Sequence, residues 1–260
     1  MTIKCITANL QGGQDDWLRE LASEKIDIAF LQEAPHELPK EFADAYDICK
    51  YNETAIHPAY RCRTLIAVRR EAWLRPIPLE VPTATYHRSY VAGARVDLPG
   101  IGETILISIH ASPREIPKDS HYLADWSGES PTARPIAKGV LWDSDYVLET
   151  IRRVNLANSL PMIVAGDFNE ARGPNSLKPE WGIWGKEYLE KAKSELGLFD
   201  VTWNEWSEPS GERATHGDAQ LDHILATEDL RSHLVGSTVL ENGNKNTYKS
   251  DHHPITWSIT

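Results

Sequence analysis

Apolar residues fall into short runs along most of the chain, and many of the runs end in a polar cluster. Residues 3–10, Ile-Lys-Cys-Ile-Thr-Ala-Asn-Leu, read as a strand, as do residues 26–31, Ile-Asp-Ile-Ala-Phe-Leu, which end in Gln32-Glu33. Further strands are expected over 64–69, 90–96, 104–109, 162–165, 220–226 and 255–259. Helical spacing occurs over 15–23, with Trp17, Leu18 and Leu21 on one face, and over 138–158, where Val140, Leu141, Val147, Leu148, Ile151 and Val154 recur. Many strands with few long helices predict an α+β sandwich, sheets packed together with helices outside. Segments 111–136 and 171–186 carry no clear period and are expected to be loops beside functional positions. No repeat, low-complexity tract or linker divides the chain, so one domain spanning 1–260 is expected.

Composition narrows the class. The chain has 260 residues, enough for a large core, and the apolar and charged fractions of an ordinary globular protein. No apolar run approaches the ~20 residues of a membrane span. The first residues enter a strand pattern directly, without the basic stretch and apolar core of a signal peptide, so a cytoplasmic location is expected. Cys5, Cys49 and Cys62 are scattered and lack CxxC spacing, which reads as reduced thiols in or near the core. The net charge of -11 argues against a surface built for tight non-specific binding to duplex nucleic acid. A nuclease remains compatible with it, because a local basic patch and a bound cation can offset negative charge.

Polar groups recur where strands end. Asn9, Glu33, His110, Asp167 with Asn169, and Asp222 occupy such positions, and Asp251-His252 precedes the last strand. Singly, an Asp after a strand is usually a turn residue, and a lone His is usually scaffold. Six recurrences require a common cause. Carboxylates, a carboxamide and imidazoles gathered in one cleft suit metal-assisted attack of water on a phosphate ester.

These residues, in this order, resemble the endonuclease/exonuclease/phosphatase superfamily, in its deoxyribonuclease I-like branch. The likeness rests on Asn9, Leu31-Gln32-Glu33, Ser108-Ile109-His110, Gly166-Asp167-Phe168-Asn169, Leu221-Asp222-His223-Ile224 and Ser250-Asp251-His252. The resemblance implies a four-layer α/β/β/α sandwich of two mixed sheets with outer helices and the site at one end. It implies Mg²⁺ or Mn²⁺ as cofactor, with Glu33 as main ligand and Asn9 and Asp251 as further metal-site residues. A hard carboxylate oxygen suits either ion. His252 is expected to activate water, since imidazole titrates near neutrality, and Asp222 to hydrogen-bond and orient it. Asp167 and Asn169 are expected to bracket the phosphate and water, with a leaving-group role also open to Asp167. Asp251 could instead support His252. His110 is expected to bind phosphate or donate a proton. An acidic neighbour for it is missing from the stretch Tyr60-Arg61-Cys62-Arg63-Thr64, whose arginines could add positive charge.

His253 and His223 are expected to point away from the site by strand alternation, and His216 to lie nearer it. The pairs Trp181/Trp184 and Trp203/Trp206 read as packing residues, and Trp126 as the first to test for substrate contact. The favoured activity is hydrolysis of a phosphodiester in nucleic acid, endo or exo. The alternatives are a lipid or small-phosphoester hydrolase of sphingomyelinase or inositol-phosphatase type, and a catalytically silent binding domain on the same fold.

Overall fold

The computed structural model describes residues 1–50, 63–82, 90–116, 126, 131, 139–172, 179–204, 214–217, 219–240 and 248–260. The strands of the first half are β1 (Ile3–Asn9), β2 (Ile28–Ala34), β3 (Tyr46–Lys50), β4 (Arg63–Arg69), β5 (Ile77–Leu79), β6 (Val91–Leu98) and β7 (Gly102–His110). The remainder are β8 (Glu115–Ile116), β9 (Leu141–Trp142), β10 (Met162–Arg172), β11 (Leu198–Asp200), β12 (Gln220–Thr227), β13 (Leu234–Val239) and β14 (Ile255–Ile259). The helices are α1 (Asp15–Ser23), α2 (Lys40–Ala45), α3 (Asp143–Asn158), α4 (Pro179–Leu196) and α5 (Val201–Asn204).

Two six-stranded sheets result, in the orders β13-β14-β1-β2-β4-β3 and β11-β12-β10-β7-β6-β5. Both are mixed: β1 runs parallel to β2 and β10 parallel to β7, while the other pairs in each are antiparallel. Side-chain alternation then sorts the core into three layers. Ile28, Phe30, Ile66 and Val68 of the first sheet meet Leu106, Ile163, Ala165 and Ile224 of the second between the sheets. Their neighbours Ala29, Leu31, Leu65 and Ala67 face outward onto Trp17, Leu18 and Leu21 of α1 and Phe42 of α2. On the far side, Ile105, Ile107 and Val164 pack on Val147 and Ile151 of α3 and Tyr188 and Ala192 of α4. With both faces of each sheet covered, the central strands read as continuous apolar runs, as the sequence shows. The four-layer α/β/β/α sandwich expected from the sequence is therefore present.

The differences lie at element ends and short elements. The long helix begins at Asp143 rather than 138, because Leu141 and Trp142 pair with Glu115 and Ile116 as a small ribbon. Part of the segment expected to be loop, 171–186, is the start of α4, which continues to Leu196. β10 does not stop at Ala165 but runs on through Asp167 and Asn169.

Candidate active site

Topology explains why distant motifs meet. The parallel pairs place the C-terminal ends of β1, β2, β7 and β10 at one end of the sandwich, with Asn9 opposite Gln32 and Asp167 opposite His110. Antiparallel β12 sets Asp222 directly across from Asp167. Antiparallel β14 begins where β1 ends, with Thr7 paired to Ile255, so the preceding loop delivers Asp251 and His252 to the same rim.

Local backbone conformations then aim the side chains. Glu33 sits at φ 48° and Asn169 at φ 49°, both left-handed, at register breaks between Leu31 and Ala34 and between Asp167 and Arg172. Such bulges turn a strand residue out of its alternation at a moderate strain cost, a device common beside functional sites. Gly166 adopts φ +146°, and a Cβ there would lie 2.1 Å from the carbonyl oxygen of Ile109. Only glycine lets β10 approach β7 this closely just before Asp167.

The side chains form one connected network. Asp222 Oδ2 accepts a hydrogen bond from His252 Nδ1 at 2.8 Å, the contact expected from the sequence. The other imidazole nitrogen, Nε2, lies 3.8 Å from Asp167 Oδ2. Asp167, 1% exposed, is the hub: its Oδ2 accepts from Asn9 Nδ2 at 3.0 Å and Asn169 Nδ2 at 3.1 Å, and His110 Nε2 is 3.7 Å away. Asn9 also donates to Glu33 Oε1 at 3.0 Å, while its own Oδ1 accepts the Gln11 N–H. His110 Nε2 is 3.5 Å from Glu33 Oε1, and Tyr90 meets its ring edge-on. Among the described residues, the acidic neighbours of His110 are thus Glu33 and Asp167. Arg63, on β4, is buried and donates to the Pro35 carbonyl, whereas Tyr60, Arg61 and Cys62 lie outside the described residues.

Electrostatics follow from burial and charge crowding. Burial pulls the His252 pKa down, but Asp222, Asp167, the Asp222 hydrogen bond and Asp251 outweigh it and raise it to about 10. Burial, with Asp222 adding, pushes the Asp167 carboxyl up against the opposing pull of His252 and His110 and the N–H of Asn169. The cluster therefore holds a buried acid, Asp167, with a second acid, Asp222, directly beside it.

That crowding, and the oxygen and imidazole donors themselves, fit a divalent cation. Among the described residues, His216, Asp251 and His252 form one group with donor atoms within 4.8 Å of one another, and Asp167, Asp222 and His252 form another. Glu33 belongs to neither group, and its Oε1 lies 3.0 Å from Asn9 Nδ2. Asp251 is half exposed and pairs with His216 Nε2 at 3.4 Å.

Several contributors were not singled out in the sequence. Gln32 Nε2 donates to Ser108 Oγ at 3.0 Å across the two sheets, a buried brace inside two motifs whose neighbours drew the attention. Tyr248 donates to the Asn9 carbonyl at 2.7 Å and packs on Trp17, anchoring the loop that carries His252. Thr215 Oγ1 accepts the N–H groups of Leu221 and Asp222, and its carbonyl accepts that of His253, so one residue ties the Asp222 strand to the His252 loop. Neither Tyr248 nor Thr215 carries a motif signal. His216 does reach the site: it bridges to His252 along the backbone, with ring centroids 4.9 Å apart. His223 is fully buried and donates to the Glu170 carbonyl at 2.8 Å, a scaffold role. Trp126 packs edge-on against Tyr146, with the Arg153 guanidinium over its ring. The side chains of Trp181 and Trp203, and all of Trp206, His87 and His121, lie outside the described residues.

Comparison with known proteins gives a consistent frame. The model of the Endonuclease/Exonuclease/phosphatase family matches residues 6–252. Among solved structures, the endonuclease domain of TRAS1, a telomere-specific non-LTR retrotransposon, is similar at 19% identity and TM-score 0.63, covering 100% of this chain and 98% of that one. The AP endonuclease LMAP from Leishmania major is similar at 16% identity and TM-score 0.66, covering 99% and 87%. An AP endonuclease from Archaeoglobus fulgidus gives 16% identity and TM-score 0.63, covering 98% of both chains. At these identities the structural likeness speaks for the fold. A sequence search of curated proteins finds no match.

Proposed function

The chain belongs to the Endonuclease/Exonuclease/phosphatase family, and on that premise we propose that it is a divalent-metal-dependent phosphodiesterase that hydrolyses nucleic acid. The observation that carries this reading is the Asp222–His252 hydrogen bond, with the free face of His252 directed at Asp167 beside Asn9 and Glu33. In this reading Asp222 fixes the tautomer at Nδ1, and a divalent cation among the carboxylates would offset the negative charge that otherwise keeps the imidazole protonated, so that Nε2 can take a proton from attacking water. Asp167 and the Asn169 amide bracket the phosphate and that water. The raised pKa of Asp167 suits a carboxyl that holds a proton for part of the cycle. His110 binds a phosphate oxygen or protonates the leaving group, with Glu33 and Asp167 as its acidic neighbours. Glu33, with Asn9 and Asp251 as further ligands, would hold Mg²⁺ or Mn²⁺, which would supply Lewis acidity and charge neutralisation at the phosphate. The similar structures described above are endonucleases, which favours nucleic acid over lipid here.

The test is a panel of single-stranded DNA, duplex DNA, RNA, bis-p-nitrophenyl phosphate and phospholipid vesicles, assayed with Mg²⁺, with Mn²⁺ and after rigorous chelation. Cleavage of a nucleic acid that is lost on chelation and restored by either ion is expected. Full activity after metal removal would refute the mechanism, and turnover confined to phospholipid would replace the substrate.

A further inference from the structure

His216 has no part in the reaction proposed above, yet the fold sets it beside two residues that do. It lies in the turn before β12, where its N–H and its carbonyl each pair with Ala219 at 3.0 Å. A backbone bridge joins His216 to His252, and the Thr215 carbonyl accepts the His253 N–H at 2.6 Å. These bonds hold two main-chain segments side by side and bring the two imidazole rings to a centroid distance of 4.9 Å. The Asp251 carboxylate completes the set, with Oδ2 3.4 Å from His216 Nε2. One donor atom from each of His216, Asp251 and His252 lies within 4.8 Å of the other two.

This donor set differs in kind from the one proposed for Mg²⁺. Glu33, Asn9 and Asp251 offer oxygen, which hard ions prefer. His216, His252 and Asp251 offer two imidazole nitrogens and a carboxylate. Imidazole suits borderline transition ions, and two histidines with one carboxylate hold zinc in known zinc enzymes. The Nδ1 of His252 is hydrogen-bonded to Asp222 at 2.8 Å, which leaves Nε2 as its open nitrogen. A carboxylate on the far nitrogen is the usual support of a metal-bound histidine, because it fixes the tautomer and the ring orientation. The side chains of His216 and Asp251 are 38% and 51% exposed, so both can rotate onto an ion that arrives from solvent. A metal on His252 Nε2 takes the lone pair that a proton would otherwise occupy.

We propose that His216, Asp251 and His252 form an inhibitory site for a zinc-class divalent ion, which silences the enzyme by occupying the nitrogen that activates water. The site shares Asp251 with the Mg²⁺ ligands, so the two ions exclude one another there. The site itself rests on the geometry and the donor chemistry, and its inhibitory effect rests on the phosphodiesterase reading.

Isothermal titration with Zn²⁺ in Mg²⁺-free buffer compares wild type, His216→Ala and His233→Ala. His233 is a control, exposed and bonded to the Thr260 carbonyl at the opposite end of the sandwich. Losing even an outer partner of a metal ligand costs ~10- to 100-fold in affinity, so His216→Ala should weaken Zn²⁺ at least about tenfold. His233→Ala should match wild type. In wild type, the ring-nitrogen NMR resonances of His216 and His252 should move together as Zn²⁺ is added. Equal affinity of wild type and His216→Ala, or rings that do not move together, would overturn the site. Should His216→Ala fail to fold, His216→Gln serves the same comparison. Hydrolysis assays then judge each protein against its own Mg²⁺-supported rate. Zn²⁺ should inhibit wild type, and more Mg²⁺ should raise the Zn²⁺ concentration required. His216→Ala should need at least about tenfold more Zn²⁺ for the same fractional inhibition. Zn²⁺ that binds through His216 without inhibiting would overturn the inhibitory role. If wild type hydrolyses no phosphodiester with any ion, the phosphodiesterase reading falls separately, and titration and NMR alone decide the site.

Discussion

At the scale of single residues, His252 and Asp222 carry most of the chemistry. Replacing His252 with Ala should lower kcat by about 10²- to 10⁴-fold, the usual worth of a general base. Circular dichroism should show the fold retained, and unchanged turnover would remove His252 from that role. Asp222→Asn should act in a more diagnostic way. Asp222 is the leading influence that lifts the His252 pKa to about 10 against the opposing effect of burial. Neutralising it should move the apparent pKa of the base in kcat/KM profiles to lower pH at a fixed, saturating divalent cation. The rate should also fall, because the imidazolium loses its counter-charge and the tautomer its anchor. A slower enzyme with an unmoved profile would mean that Asp222 contributes only packing. The same two residues set a stability signature. A histidine whose folded pKa exceeds its unfolded value of about 6.5 stabilises the fold fully below that pH. That contribution fades as pH rises through about 10. In chelator, the urea midpoint of wild type minus that of His252→Gln should therefore shrink between pH 6 and pH 10, and a constant difference would contradict the charged His252.

Elements matter here through how strands end rather than through how they run. β10 carries Gly166, Asp167 and Asn169 in succession, and its close approach to β7 is what places Asp167 opposite His110. Gly166→Ala puts a methyl 2.1 Å from the Ile109 carbonyl oxygen in a backbone conformation that L side chains rarely adopt. A loss of roughly 2–4 kcal/mol is expected, within the range of strained backbone substitutions. Chemical denaturation measures it, with a loss below about 0.5 kcal/mol, the size of an ordinary surface change, counting against the close approach. Glu33 shows the complementary case. Strand alternation alone does not predict where its carboxylate goes, because a left-handed residue at a register break redirects it.

On the scale of the whole molecule, the sandwich gathers polar groups from six separated stretches onto one rim, four of which bring an acid, and the chain as a whole carries a net charge of -11. Attraction of nucleic acid to such a molecule depends on local positive charge and on the divalent cation rather than on the overall field. Substrate KM should consequently fall as Mg²⁺ is raised past saturation of the catalytic site, as further ions screen the repulsion. A KM that rises steadily with Mg²⁺ would point instead to an extended basic surface that ion competition weakens.

The hydrophobic periodicity by itself determined the central strands, the first helix and the residues at the polar strand ends, because burial on both faces forces apolar runs into the sequence, while the four-layer arrangement was what the family resemblance implied. Elements on the margins were not legible. β9 is two residues long and exists only by pairing with β8, and the aperiodic start of α4 gave no clear pattern. Within the site, the sequence named Asn9, Glu33, His110, Asp167, Asn169, Asp222 and His252 and the pairing of Asp222 with His252, yet not the other partners. The acid facing His110 was sought on β4, while Glu33 and Asp167 supply it from β2 and β10. Tyr248, Thr215 and the Gln32–Ser108 brace act through single hydrogen bonds across large sequence separations, which leave no local pattern. Residue type and periodicity are local properties and can be read along a chain. Distance, aim and pKa depend on which strand ends the register brings together, and those only the tertiary structure decided.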